Sequence, residues 1–169
     1  KTLIYEDQTV ETPLGAATLA LSQDNIVLAT VLRAGLPLHQ GLLNYFDEAD
    51  NAFISAYRKH HKDGSFEIEQ QYVSCPNLDD KILIVSDPMI ATGASLSTSL
   101  EALLENGSPA KIHFVTAIAS KQGLEHIRRL FPKADIWVAA VDEELTAKAY
   151  IVPGLGDAGD LCYGEKLQD

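Results

Sequence analysis

Apolar positions along this chain fall into short, nearly continuous runs separated by stretches of helical spacing. Ile26-Val27-Leu28-Ala29-Thr30-Val31 reads as a strand covered on both faces. Arg33-Ala34-Gly35 ends it, Pro37 stands in the first turn of a helix, and Leu38, Leu42 and Tyr45 recur at helical spacing. Residues 53–57 form a second strand. Ile82-Leu83-Ile84-Val85 is the clearest buried strand. Leu96, Leu100, Leu103 and Leu104 follow at helical period until Gly107-Ser108-Pro109 stops them. Residues 112–118 and 136–141 give two further strands. Between them Leu124, Ile127 and Leu130 make a helical stripe ended by Pro132.

Alternation of strand and helix predicts an α/β fold: a mostly parallel twisted sheet with helices on both faces and right-handed crossovers. The whole chain, 1–169, reads as a single domain. The stretch 58–80 departs from the alternation. It is basic and polar from Arg58 to Lys62, turns at Asp63-Gly64, and alternates through Phe66-Glu67-Ile68-Glu69, which predicts a projecting β-hairpin flap. Ligands of such sheets bind beyond the carboxyl ends of the strands. The loops that matter therefore follow Val31, Tyr57, Val85, Ile118 and Val141.

Composition narrows the function. The chain has 169 residues, and its 24 acidic against 13 basic residues give a net charge of −11. That balance argues against a general nucleic-acid binder but leaves room for a small phosphate site built from backbone amides and a few arginines. No apolar run is long enough to span a membrane, and no signal peptide is visible. Two cysteines, Cys75 and Cys162, are too few for a disulfide scaffold or a thiolate zinc site and fit a cytoplasmic protein. The chain lacks an initiator Met and opens inside a structured stretch, as a fragment or processed chain would.

The strongest chemical signal is Val85-Ser86-Asp87-Pro88-Met89-Ile90-Ala91-Thr92-Gly93-Ala94-Ser95. An apolar strand runs into an acid, then into a turn of small and hydroxyl residues, then into a helix. Small residues let the backbone approach a phosphate, and free amides at a helix start point at it. The Thr92 and Ser95 hydroxyls add donors. No Gly-Lys-Ser/Thr closes the loop and no glycine triplet opens it, so neither a Walker loop nor a dinucleotide fingerprint is present. The same pattern also fits a plain strand–turn–helix with Ser95 as N-cap.

Asp87 to Ser95 resembles the 5-phosphoribosyl 1-diphosphate loop of phosphoribosyltransferases. It is similar in particular to the uracil phosphoribosyltransferase version, which has Pro after the first acid and no acid at the position of Ala91. The resemblance implies that Met89, Ala91, Thr92, Gly93, Ala94 and Ser95 grip the 5-phosphate and that Asp87 lies near the ribose hydroxyls. Val31-Leu32-Arg33-Ala34-Gly35-Leu36 resembles the family's diphosphate loop, which implies diphosphate contacts from Arg33, Ala34 and Gly35. Read alone, Arg33 is as fit for a surface ion pair as for a ligand. Ala56-Tyr57-Arg58 resembles the segment that brings a further basic residue, here Arg58, toward the diphosphate. Lys59, His60 and His61 depart from the family there.

Tyr150-Ile151-Val152-Pro153-Gly154-Leu155-Gly156-Asp157-Ala158-Gly159-Asp160 is too rich in Gly and Pro for a regular helix or central strand. Alone it could be a binding loop or a loose tail. It is similar to the family's uracil loop, which implies base recognition by backbone groups of Ile151, Gly156 and Ala158 over residues 150–160, with Tyr150 beside the pocket. Asp157 is then the acid near the ribose and Mg²⁺, bound directly or through water. Val10-Glu11-Thr12-Pro13-Leu14-Gly15 looks like the family's entry into the core.

The resemblance implies uracil phosphoribosyltransferase chemistry in pyrimidine salvage: uracil plus 5-phosphoribosyl 1-diphosphate gives UMP and diphosphate, with Mg²⁺ as cofactor. Arg33, Asp87 and Asp157 are the implied catalytic set. A homodimer or higher homo-oligomer is implied too, and some relatives respond to GTP. Two other readings remain open: a non-catalytic sensor of nucleotide or sugar diphosphate, and an enzyme for another base. The scattered His39, His113 and His126, and the pair His60-His61, lack metal-ligand spacing. Met89 also suits packing, and Glu143-Glu144 a solvated edge.

Overall fold

The computed structural model describes residues 5–22, 25–60 and 66–165, with side chains for all of these but 56–60 and 66–71. In chain order the elements are β1 (Tyr5–Thr12), β2 (Gly15–Ser22), β3 (Ile26–Leu32), α1 (Leu36–Leu43), β4 (Asp50–His60) and β5 (Phe66–Ser74). Then come β6 (Ile82–Ser86), β7 (Met89–Ile90), α2 (Ala94–Leu103), a 3-10 turn (Leu104–Asn106) and β8 (Lys111–Ser120). Last are α3 (Lys121–Leu130), β9 (Asp135–Asp142), β10 (Glu144–Leu145), β11 (Ile151–Val152) and α4 (Ala158–Tyr163).

The central sheet runs β5-β4-β3-β6-β8, with β9 along the free edge of β8 and the short β7 paired to β8 beyond β6. Every pairing in it is parallel except β4 with β5. Alternate residues of β3 and β6 face two different cores, as a period of two requires. Val27, Ala29, Val31, Leu83, Val85 and Phe114 face Leu96, Leu100 and Leu103 of α2 and Leu124 and Ile127 of α3. Ile26, Leu28 and Ile84 face Leu42 and Leu43 of α1 and the following Phe46. Helices on both faces explain why β3 and β6 read as nearly continuous apolar runs.

Local chemistry fits the ends of α1 and α3. Pro37 fits the first turn of α1, where its missing N–H costs nothing. Ser120 caps α3 by accepting from the Gly123 amide, and Arg128 and Arg129 sit in its last turn, where the helix dipole favours cations. Tyr45 lies beyond α1 and is exposed, so the helical spacing overreached there by two residues.

The antiparallel β4–β5 pairing is the expected hairpin, although it reaches back to Phe53 with Ser74. Leu78 is fully buried, so the return arm joins the core. Asp63-Gly64, the expected turn, lies outside the described residues.

Two expectations need correction. The stretch from Val10 to Gly15 does not enter the core. It belongs to a separate β1–β2 hairpin with Val10, Leu14, Leu19 and Leu21 exposed. No described helix or sheet covers these side chains. The stretch 150–160 does hold regular structure. β11 pairs with β10, and α4 begins at Ala158, because the Asp157 carboxylate accepts from the Asp160 amide and starts a turn beyond the last proline.

Leu100 is fully buried between the sheet and α3, whereas Leu14 is fully exposed. Leu100→Ala is expected to lower unfolding free energy by about 2–5 kcal/mol in urea titrations. Leu14→Ala should change it by less than about 0.5 kcal/mol. Equal effects would contradict this core.

Candidate active site

β3 and β6 lie side by side, so the loops that leave them start as neighbours. The Leu32–Arg33 peptide is cis. The chain then folds back, and the Gly35 amide donates to the Val31 carbonyl at 2.9 Å. A Cβ on Gly35 would lie 2.1 Å from Thr30 Oγ1, 2.8 Å from the Val31 oxygen and 3.1 Å from the Ser86 oxygen. Only glycine permits this approach. Thr30 Oγ1 donates to the Ser86 oxygen at 3.2 Å, joining the floor of the Arg33 loop to the root of the Asp87 loop.

Asp87 follows at the end of β6. Its amide donates to the Val115 carbonyl, and its Oδ1 accepts from the Met89 amide at 3.2 Å. Burial pushes its carboxyl up to about 6, against the lowering effect of the Met89 bond. Met89 and Ile90 form β7 against Ile118 and Ala119 of β8, so Met89 is held as backbone in the sheet. Gly93 has a φ of +80°, in the left-handed region, and is the N-cap of α2. Ser95 is therefore the second residue of α2 and not its cap. The N-cap of α2 makes no side-chain hydrogen bond; Thr92 Oγ1 accepts from the Ala94 amide at 3.3 Å and keeps its hydroxyl hydrogen as a donor.

Two supports of this loop escaped the sequence reading. Ser120 Oγ donates to the Ala91 carbonyl while accepting from the Gly123 amide at 2.9 Å. A Cβ on Gly123 would sit 2.3 Å from the Ala91 oxygen and 2.9 Å from the Ile90 oxygen. The signal existed: a serine between an apolar strand and a helical stripe is an N-cap pattern. Its second bond, to a distant loop, leaves no local trace.

Arg33 meets the C-terminal segment. Its Nη2 donates to Asp160 Oδ1 at 2.9 Å and to the Gly164 carbonyl at 3.0 Å, and its guanidinium lies 5.9 Å from the Tyr163 ring centre. The ion pair that the sequence allowed is thus present. A Cβ on Gly159 would touch Ala34 Cβ at 3.7 Å, which packs the start of α4 onto the Arg33 loop. Upstream, the Gly154 amide donates to Asp142 Oδ2 at 2.9 Å, fastening the 150–157 stretch to the end of β9. Ile151 and Ala158 are buried, Tyr150 is exposed, and Gly156 has a φ of +83°.

The structure therefore links Arg33, Ala34 and Gly35 to Asp160 on one side and to the root of the Asp87 loop on the other. Arg58 lies on β4, and its side chain, like those of Lys59 and His60, is outside the described residues; so is His61. The remaining histidines do other work. His39 is buried and donates from Nε2 to Asn51 Oδ1 at 2.8 Å, since Asn51 Nδ2 is spent on the Ala49 carbonyl. His113 accepts from the Trp137 indole. His126 packs against Gly93 and hydrogen-bonds Ser97 at 3.4 Å. Glu143 pairs with Lys121 on the surface, as a solvated edge would. Among the described residues no three His, Cys, Asp or Glu side chains form a metal cage. A groove of about 540 Å³ between Lys111 and Lys133 lies at the amino end of β8, away from these loops.

A family model described as uracil phosphoribosyltransferase matches residues 1–165. The chain is 52% identical over 168 residues to a uracil phosphoribosyltransferase of Porphyromonas gingivalis, covering 99% of this chain and 78% of that protein. It is 43% identical over 171 residues to that of Thermococcus gammatolerans, covering 99% and 75%. The solved structure of a protein from Aquifex aeolicus superposes with a TM-score of 0.88 at 36% identity, over 99% of this chain and 79% of that one. A Staphylococcus aureus hypoxanthine phosphoribosyltransferase shares the fold at a TM-score of 0.54 and 16% identity, over 73% and 65%.

The folded Asp87 carboxyl, at about 6, lies above its ordinary value of 3.8. The folded state then binds this proton more tightly, so the contribution of Asp87 to stability falls as pH rises from 4 to 6 and stays lower above. Asp87→Asn is expected to be more stable than the unchanged chain at pH 7.5 by about 1–3 kcal/mol. The gain should vanish near pH 4 in paired urea titrations. A variant no more stable at pH 7.5 would show that the carboxylate is not penalised by burial.

Proposed function

The chain belongs to the uracil phosphoribosyltransferase family, and we propose how its residues divide the conversion of uracil and 5-phosphoribosyl 1-diphosphate to UMP and diphosphate. The 5-phosphate lies in the 91–95 turn. There the start of α2, with no N-cap side chain, offers backbone amides beside the one that Thr92 Oγ1 already accepts from, and Thr92 and Ser95 offer hydroxyls. What supports this most is Gly93: a left-handed glycine at a helix start with no side-chain cap. Asp87, ionised above its raised pKa, accepts from the ribose hydroxyls at the floor of the site.

Arg33 and the amides of Ala34 and Gly35 receive the leaving diphosphate, whose charge grows as the C1–O bond breaks. Arg58 adds a second cation from β4. Backbone groups of Ile151, Gly156 and Ala158 read the base edge, with Tyr150 at the rim. Rigid backbone donors and acceptors hold uracil N1 in line with C1, so much of the rate comes from positioning. C1 gains oxocarbenium character as diphosphate departs. No side chain is assigned as general base; the loop backbone stabilises a polarised uracil.

Magnesium fits the donor set. Asp157 and Asp87 supply too few ligands for an all-protein cage, and Mg²⁺ is ordinarily held by one or two carboxylates together with substrate oxygens. When bound it neutralises charge on the diphosphate. We assign Asp157 as its protein contact, directly or through water. We also propose a homodimer or higher homo-oligomer working in the cytoplasm.

The test is UMP formation from labelled uracil, 5-phosphoribosyl 1-diphosphate and Mg²⁺, with EDTA as control and cytosine and adenine as competitors. Uracil-selective turnover that EDTA abolishes is expected. Asp157→Asn keeps a capping oxygen for the Asp160 amide yet loses the charge, so α4 should persist. It is expected to cut kcat/KM by about 10- to 1000-fold. Unchanged turnover and Mg²⁺ dependence in this variant would remove Asp157 from its role.

A further inference from the structure

Asp160 belongs to the base-loop stretch but has no assigned part in the reaction. Its backbone is fixed at both ends. Its amide donates to Asp157 Oδ1 at 3.0 Å, and its carbonyl accepts from the Gly164 amide at 2.9 Å. Its side chain makes one described contact, the 2.9 Å bond to Arg33 Nη2, across 127 positions of sequence.

We infer that Asp160 is a positioning residue for the diphosphate loop: it holds Arg33 by one nitrogen, aims the other donors at the ligand, and ties diphosphate affinity to the base loop. The inference rests on the reading of Arg33 as a diphosphate contact. A guanidinium carries five N–H donors in one plane. Asp160 Oδ1 and the Gly164 oxygen use the two on Nη2. The Nε hydrogen and the two on Nη1 have no partner among the described residues. Both two-toothed edges of a guanidinium include Nη2. A diphosphate meeting Arg33 in this pose therefore takes single directed bonds from Nε and Nη1. Direction then has to come from the anchor, because single bonds do not align the plane by themselves. The Tyr163 ring, 5.9 Å away, limits rotation further.

The carboxylate could act in the opposite sense, by cancelling the arginine's charge and repelling the anion. Exposure decides between the two effects. The side chains are 39% and 32% exposed, so solvent screens the charge cancellation. Screening does not weaken orientation. Holding a long flexible side chain on folding also spares that ordering cost at binding. The link to the base loop is covalent and short: Asp157 caps α4, and three residues later stands Asp160.

The experiment is calorimetric titration of inorganic diphosphate with Mg²⁺ into the unchanged chain, Asp160→Ala, Asp160→Asn, Arg33→Ala and the Arg33→Ala/Asp160→Ala pair. Circular dichroism confirms folding, and Asp160→Asn serves as the isosteric variant. Asp160→Ala is expected to weaken binding by about tenfold, and Asp160→Asn by about threefold, since it keeps an acceptor. In the Arg33→Ala background Asp160→Ala should change affinity by less than about twofold. The KM for 5-phosphoribosyl 1-diphosphate should rise by a larger factor than kcat falls. Unchanged or tighter binding in Asp160→Ala, or the same loss with and without Arg33, would overturn the proposal. Arg33→Ala with unchanged affinity would remove its premise instead, and the proposal with it.

Discussion

The site depends on backbone passing closer to backbone than any side chain allows. Gly35 turns over Thr30 and the Ser86 carbonyl, and Gly123 lies against the Ala91 carbonyl. These contacts draw the loop after β3 onto the root of the loop after β6, and then clamp the far end of that loop to the start of α3. A single Cβ at either position would have to displace main chain. The parallel sheet makes the approach possible, because it brings the carboxyl ends of β3, β6 and β8 to one edge.

Charge follows from the same geometry. A chain of net charge −11 has to hold a strongly anionic substrate. It has few cations near these loops, and one of them, Arg33, already faces a carboxylate. On the proposed assignment backbone donors answer the problem, since amides at a helix start attract phosphate without adding formal charge. Asp87 shows what the enclosure costs: the burial that shelters the site also raises its carboxyl to about 6.

Much of this could be read from the residues. The nearly continuous apolar run of Ile26 to Val31 and the period of Leu96, Leu100 and Leu103 report burial directly. The 85–95 segment announced its turn because a left-handed glycine before a helix is a local requirement. Long-range partners were less legible. Asp160 is an ordinary loop acid until the fold sets it beside Arg33, and Ser120 is an ordinary cap until Ala91 arrives. The β1–β2 hairpin was missed because its apolar residues face outward, so its alternation does not mark a core. The α4 helix is hidden in the sequence because the proline and glycines before it mask the Asp157 cap that starts it.

The central claim is that the Arg33 loop and the 91–95 turn together form one sugar-diphosphate site. A crystal structure of the chain with 5-phosphoribosyl 1-diphosphate and Mg²⁺ tests it most directly. The account predicts the 5-phosphate within hydrogen-bond distance of the amides and hydroxyls of residues 92–95. It also predicts diphosphate oxygens on Arg33 while Asp160 keeps its bond to Nη2. A 5-phosphate held elsewhere, with Gly93 and Thr92 facing solvent, would contradict it.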